Sequence, residues 1–274
     1  MKKNMTLITK NGLLIVLVSL VALIPIYVQV FRDFQVRTGI VHNSELVPTI
    51  LVPGSSASQN RFNDFVRELD QKQQKHSLVK VIVDTNDNLN ITGKIKTGDH
   101  HPYIVIAFQN NKDGYSNIKK QSKYLAIALD KLEKKYNFSS INAIGHSNGG
   151  LIITRYLEEY YNKKTFGINK LMTIGTPYNF DEKYLKPQTK MLKDMTKAGK
   201  KLPSGLTVFS VGGANVDGSD GIVPFASVAS GRGIYQGNVA HYTLIMVTGA
   251  DSDHSALPEN MEIIDIIKQF ILTR

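Results

Sequence analysis

A serine between two glycines, Gly145-x-Ser147-x-Gly149, lies in the middle of the chain. This spacing is that of a nucleophile elbow, in which a strand turns sharply into a helix and holds a serine hydroxyl exposed at the bend. The alternative is an ordinary turn of small residues. A serine hydroxyl is a weak nucleophile at neutral pH, so it needs a histidine base, which a carboxylate must orient. A catalytic interpretation therefore requires both partners later in the sequence.

Two histidines follow the serine, His241 and His254. His254 lies in the loop that leaves the last predicted strand at its carboxyl end, which is the side of the sheet where the elbow lies. His241 begins that strand at the opposite end. We therefore predict that His254 is the base. His146, inside the elbow, is predicted to pack or hydrogen-bond rather than to transfer protons, because its side chain points away from that of the serine.

The candidate acids are Asp217 and Asp220, in the loop that follows the preceding predicted strand. Either could be an ordinary turn aspartate, since Asp-Gly is a turn signal. We favour Asp220 because the residues after it, 221–224, return to apolar packing, which suits a fixed carboxylate. Asp251 and Asp253 are disfavoured because they lie too near His254 in the sequence.

An acyl-transfer site also needs an oxyanion hole. The backbone N–H of Asn148, the residue after the serine, is the first predicted donor, and an early loop supplies the second. Ser55 is the predicted second donor and Ser56 is next; the alternative is a Pro-Gly turn with helix-capping serines. No spacing typical of metal ligands occurs, so we expect neither a metal nor an organic cofactor.

Short apolar runs alternate with helical patterns along the rest of the chain. Such alternation predicts an α/β fold with a mostly parallel central sheet and helices on both faces. The elbow lies between the predicted strand 141–145 and a helix after residue 150, as the chemistry requires. Strands are predicted within residues 47–54, 78–95 (two strands), 103–109, 141–145, 168–177, 206–213 and 241–249, and helices near 60–72, 117–136, 151–160 and 259–274.

The amino terminus is a candidate membrane segment. Residues 12–31 carry no formal charge and are about long enough to cross a ~30 Å hydrocarbon layer as a helix. Three lysines precede this stretch, so the positive-inside rule predicts that the rest of the chain lies outside the cytoplasm. Its length favours a retained transmembrane helix, whereas Pro25 and the polar residues after it favour a cleaved signal. We predict an anchor or signal in residues 1–35 and one domain in residues 36–274.

Composition limits the remaining possibilities. The 274 residues include no cysteine, which excludes disulfides, thiolate metal sites and cysteine nucleophiles. The formal net charge is +10, and the lysines form short clusters. A solvated basic surface is the first interpretation, and attraction to an anionic envelope or lipid is the second. We expect no nucleic-acid partner, because no nucleic-acid-binding motif accompanies the charge.

Several blocks of the sequence resemble one family. "INAIGHSNGGL", "FQNNKDG", "IGTPYN", "SDGIVPFASV" and "HSALPEN" are similar to segments of the cell-surface α/β-hydrolases of Gram-positive bacteria, within the wider lipase-like group. The resemblance runs from about residue 47 to the end of the chain. It implies an α/β-hydrolase fold with Ser147, Asp220 and His254 as a catalytic triad. One departure is Pro53-Gly54, where many lipase-like relatives carry His-Gly.

The resulting hypothesis is an extracytoplasmic serine hydrolase that cleaves carboxylic esters through an acyl-enzyme. Two alternatives stay open: an acyltransferase that uses the same triad, and a non-catalytic protein that binds the envelope through its basic face. Small-molecule or lipid esters are the expected substrates, and the sequence leaves protein partners undetermined. Residues 178–204 are interpreted either as a lid over the site or as a surface helix.

Overall fold

The computed structural model describes residues 23–25, 45–71 and 75–272. The chain divides into two units, Met1–Ser44 and Glu45–Arg274. In the first unit only residues 23–25 are described, and these are helical. Apart from these three residues, the predicted transmembrane segment 12–31 lies outside the described part of the chain. None of the helices within the described ranges has the length and apolar character needed to cross a membrane.

The second unit is built on one eight-stranded sheet with the strand order β3-β2-β4-β1-β5-β6-β7-β8. All neighbouring strands are parallel except β2 and β3, which form an antiparallel pair at one edge. The predicted mostly parallel sheet is therefore confirmed. The strands are β1 Thr49–Val52, β2 Leu78–Val83, β3 Leu89–Thr92, β4 Tyr103–Phe108, β5 Ser140–His146, β6 Gly167–Ile174, β7 Thr207–Gly213 and β8 His241–Val247.

Helices cover both faces of this sheet, as predicted. The helices are α1 Asn63–Leu69, α2 Tyr115–Tyr136, α3 Asn148–Glu159, α4 Lys190–Ala198, α5 Phe225–Ala229, α6 Arg232–Tyr235 and α7 Met261–Ile266. One apolar core packs α2, α3 and α4 against one face, and a second core packs α1 and α7 against the other.

The most apolar strands lie in the middle of the sheet. Every residue of β1 and β4 is buried, as expected for strands covered by helices on both faces. β1 pairs directly with β5, so the loops that follow these two strands lie side by side at the carboxyl edge of the sheet. These are the loops of Ser55 and Ser147. The fold thus places the predicted oxyanion loop next to the predicted nucleophile.

The carboxyl-terminal helix differs from the single amphipathic helix expected over residues 259–274. Residues 257–259 form a 3₁₀ turn, the Asn260 side chain caps α7, and the chain continues from Ile267 to Ile271 as a π-helix. A π-helix has wider turns, so it shifts which side chains face the core. Phe270, which we expected on the apolar side, is 43% exposed, and Ile264 of α7 is buried.

Candidate active site

Ser147 stands at the bend between β5 and α3. Its backbone has φ 56° and ψ −130°, a conformation that L-residues rarely adopt and that marks local strain. Two contacts hold the bend: Ser147 N–H donates to the Ile174 carbonyl at 2.8 Å, and Thr176 Oγ1 donates to the Ser147 carbonyl at 3.1 Å. The strand, sharp turn and helix predicted around this serine are all present.

Two glycines allow the elbow to pack closely against the β1 loop. A Cβ atom on Gly149 would lie 2.0 Å from the Val52 carbonyl oxygen, and one on Gly54 would lie 2.6 Å from Ser147 Cβ. A side chain at either position would therefore push the elbow and the β1 loop apart. The loop after β1 therefore approaches the serine closely at Gly54.

His254 and Asp220 form a buried pair. His254 Nδ1 lies 2.7 Å from Asp220 Oδ2, and the His254 N–H donates to the Asp220 carbonyl at 2.8 Å. The other carboxylate oxygen of Asp220 accepts the N–H groups of Ile222 and Val223 at 3.0 and 2.6 Å. Because a carboxylate accepts from Nδ1–H, this arrangement leaves Nε2 of a neutral imidazole free to accept a proton.

The two rejected candidates lie elsewhere. Asp217 is exposed, and its carboxylate accepts hydrogen bonds from the Ser219 N–H and hydroxyl. These hydrogen bonds lower the pKa of Asp217. His241 is exposed at the first residue of β8, at the opposite end of that strand from the His254 loop. The structure therefore brings together Asp220 and His254, and it separates Asp217 and His241 from them.

The predicted oxyanion loop is joined to the elbow through side chains. Asn148 Nδ2 donates to Ser55 Oγ at 2.7 Å and to Asp113 Oδ1 at 2.6 Å. The Ser56 N–H donates to the Asn111 carbonyl at 2.9 Å, so it is already engaged. Ser55 therefore remains the better second donor. Sequence reasoning missed the role of Asp113, which lies in the loop after β4.

His146 packs directly behind His254. The two ring centroids are 4.8 Å apart, and His146 Nε2 donates to the His254 carbonyl at 2.9 Å. Burial, followed by repulsion from His254 and Arg61, lowers the pKa of His146 to about 3. The imidazole is therefore neutral at physiological pH. We predicted packing or hydrogen bonding for this residue, and its actual partner is the backbone of the predicted base.

Arg61 was also missed by sequence reasoning. Its guanidinium forms an ion pair with Glu259 at 2.8 Å and donates to the Ser255 carbonyl at 2.6 Å. Arg61 follows the predicted oxyanion loop, and Ser255 follows His254. This contact therefore ties the loop of the predicted oxyanion donor to the loop of the predicted base, through residues that lie 194 positions apart.

Ser147 and His254 line the same cavity, which has a volume of about 940 Å³. Its lining includes the predicted serine and histidine, both predicted oxyanion donors, and an apolar wall. The lining residues on that wall are Pro177, Phe180, Ile222 and Val223. Within the described ranges, no group of three or more His, Asp or Glu side chains could hold a metal ion.

Residues 178–204, interpreted from the sequence as a lid or a surface helix, include both cavity-lining and core residues. Phe180 and Asp181 line the cavity, whereas Tyr184 is 74% exposed. Farther along the segment, Met191 and Met195 of α4 are buried in the core that packs on the sheet. The loop before α4 therefore faces the cavity, and α4 itself belongs to the folded body.

Comparisons with known proteins agree with this fold. Residues 39–274 match the family described as "Alpha/beta hydrolase of unknown function (DUF915)". A candidate cell surface hydrolase from Lactobacillus plantarum is 44% identical, with a TM-score of 0.76 over 83% of this chain and 92% of that chain. A gene product of Listeria innocua is 26% identical, with a TM-score of 0.76 over 84% and 95%.

A lipase from Bacillus licheniformis shares the fold at 12% identity, with a TM-score of 0.52 over 84% of this chain and 93% of the lipase. At this identity the likeness concerns the fold alone. The comparison with curated proteins gives no match.

Proposed function

We propose, from the premise that the chain belongs to the DUF915 family of alpha/beta hydrolases, that it is a serine hydrolase acting on carboxylic esters. The observation that carries this proposal is the strained Ser147 at the same cavity as a His254 whose other ring nitrogen faces a buried carboxylate. An ordinary turn of small residues requires neither the strained backbone of Ser147 nor a histidine oriented by a carboxylate. The combination is that of an acyl-transfer site.

The proposed reaction gives each of these groups a step. His254 Nε2 takes the proton of Ser147 Oγ as that oxygen attacks the ester carbonyl, and a tetrahedral oxyanion forms. Its collapse breaks the bond to the alcohol oxygen, which leaves with the proton from His254, and the acyl group stays on the serine. Water then attacks the acyl-enzyme, with His254 again removing a proton, and a second tetrahedral oxyanion forms. Its collapse breaks the bond to Ser147 Oγ, which takes the proton back from His254 as the acid leaves.

Each supporting group has a physical task. Asp220 holds the tautomer in which Nδ1 carries the proton, and its charge stabilises the imidazolium that forms. The Asn148 N–H lies at the amino end of α3, where free N–H groups and the helix dipole favour negative charge. The Ser55 N–H is the second proposed donor. His146 is neutral, so it places no positive charge beside the imidazolium of His254.

We place the catalytic domain, residues 36–274, outside the cytoplasm, held to the membrane by residues 1–35. This proposal is supported by the uncharged stretch 12–31 behind three lysines. The Lactobacillus relative is also described as a candidate cell surface hydrolase. Small-molecule or lipid esters would then be encountered at the outer surface. Protease treatment of intact cells should degrade the domain without lysis, and protection until lysis would contradict the location.

The test of catalysis is labelling of the full chain with a fluorophosphonate probe, together with turnover of p-nitrophenyl esters. Ser147→Ala should lose both signals. Ser255→Ala is the matched control because Ser255 lines the same cavity, and it should retain both signals. Equal labelling and turnover in native protein and Ser147→Ala would remove the proposal.

A further inference from the structure

The cavity carries an unbalanced negative charge. Asp113 and Asp181 line it, and both are exposed to it. Within the described part of the chain, neither carboxylate has an ion-pair partner within 4.0 Å. The chain as a whole has a formal net charge of +10. The pocket therefore differs in sign from the protein as a whole.

No lining cation offsets these two charges. Arg61 is the one arginine or lysine among the described lining residues, and it is already paired with Glu259 at 2.8 Å. His146 is neutral because burial lowers its pKa to about 3. A cationic group of a ligand in the cavity would therefore meet two carboxylates that have no ion-pair partner within 4.0 Å among the described residues.

Asp113 also lies where a negative charge opposes the chemistry. Its Oδ1 accepts from Asn148 Nδ2 at 2.6 Å and from the Gly114 N–H at 2.6 Å, so the carboxylate is held beside the residue that supplies the first oxyanion donor. A fixed carboxylate there raises the energy of a developing oxyanion. A substrate cation beside Asp113 would remove that penalty, and an uncharged substrate would not.

We propose that the preferred substrates are esters that carry a protonated or quaternary amine. This proposal rests on the proposed ester hydrolysis and names its substrate class. The amine would lie between Asp113 and Asp181, and the apolar remainder of the substrate would lie against Phe180 and Val223. Because the cation also offsets the field of Asp113 on the oxyanion, the preference should affect kcat as well as KM.

The first experiment uses three p-nitrophenyl esters of nearly equal chain length: the aminocaproate, the heptanoate and the monoester of adipic acid. These differ mainly in terminal charge, which is positive, absent and negative. With the full chain at low salt, kcat/KM for the aminocaproate should exceed that for the heptanoate about tenfold. The adipate should be the poorest, and 1 M NaCl should reduce the differences.

A second pair tests whether the amine belongs to the alcohol instead of the acid. Butyrylcholine and its uncharged isostere, dimethylbutyl butyrate, differ in the charge of the leaving alcohol, and butyrate release is measured for both. A higher kcat/KM for the aminocaproate than for the heptanoate, or for butyrylcholine than for its isostere, supports the proposal. Which of these two comparisons shows the preference tells whether the acid or the alcohol carries the amine. Equal or lower kcat/KM for the cationic ester in both comparisons overturns the proposal.

Variants connect the preference to the two carboxylates. Asp181→Asn and Asp113→Asn should each reduce the ratio of charged to uncharged turnover about threefold, and Asp113→Asn should also raise kcat for the uncharged ester. Asp130→Asn is the matched control, because this exposed residue of α2 pairs with Lys134 and does not line the cavity. A ratio that is unchanged in both cavity variants overturns the assignment.

The outcomes separate the two proposals. Turnover of the heptanoate and labelling of Ser147 without any charge preference would remove the substrate class and leave the ester hydrolase. Absence of both labelling and turnover with all five esters would remove the hydrolase proposal and the substrate class with it.

Discussion

The buried histidine behind the proposed base makes the fold sensitive to acid. His146 is 5% exposed, and burial lowers its pKa to about 3, whereas a histidine in the unfolded chain titrates near its ordinary value of 6.5. Between these two values the unfolded chain binds a proton that the folded protein does not bind. The contribution of His146 to the free energy of unfolding is therefore fully present above pH 6.5, and it is lost as the pH falls from 6.5 toward 3.

The size of this loss follows from the two pKa values. At pH 5 the unfolded histidine is almost fully protonated and the folded one is not, so the free energy of unfolding should fall by about 2 kcal/mol relative to pH 7.5. His146→Gln has no titrating group at this position, and its amide can still donate to the His254 carbonyl. The variant should therefore lack this component of the pH dependence.

Urea unfolding of both proteins at the two pH values measures the effect. The free energy of unfolding should fall by about 2 kcal/mol more in the native protein than in the variant. This double difference cancels the titration of all other groups and any general destabilisation by the substitution. The same decrease in both proteins would show that His146 is protonated in the folded state, and it would refute the neutral imidazole behind His254.

Two further substitutions test the proposed site. Asp220→Asn should lower kcat for p-nitrophenyl esters by about 10⁴, because the imidazole then loses its orienting acceptor, whereas Asp217→Asn should change it less than about twofold; similar losses in the two would contradict the assignment. Gly54→Ala should lower kcat/KM by about 10² or more, since its Cβ would lie 2.6 Å from Ser147 Cβ. Gly205→Ala, where a Cβ meets nothing within 4 Å, is the control. Full activity in Gly54→Ala would refute the close packing of this loop.

The elbow could be predicted because its determinants are local. Gly145, Ser147 and Gly149 occupy fixed positions between an apolar strand and a helical pattern, and the structure has that strand and helix. The order of strands along the chain also indicated which loops share the carboxyl edge of a parallel sheet. The proximity of Asp220 to His254 follows from that order, because these residues leave the adjacent strands β7 and β8.

Contacts between distant loops could not be predicted in this way. Asp113, in the loop after β4, contacts Asn148, and Arg61 contacts Ser255, which lies 194 positions later in the chain. Neither contact leaves a periodic pattern or a motif, since each depends on the lengths and paths of two loops at once. The π-helix after Ile266 escaped prediction for a related reason, because apolar spacing alone does not distinguish it from a continuing α-helix.

The cavity joins the middle of the sheet to its edge. Ser147 follows β5 in the middle of the sheet, whereas His254 follows β8, the last strand in the chain and an edge of the sheet. An edge strand has one neighbour, and the pairing of β8 with β7 positions the loop that carries His254. Local opening of this edge would therefore displace the imidazole while the bend around Ser147 stays in place.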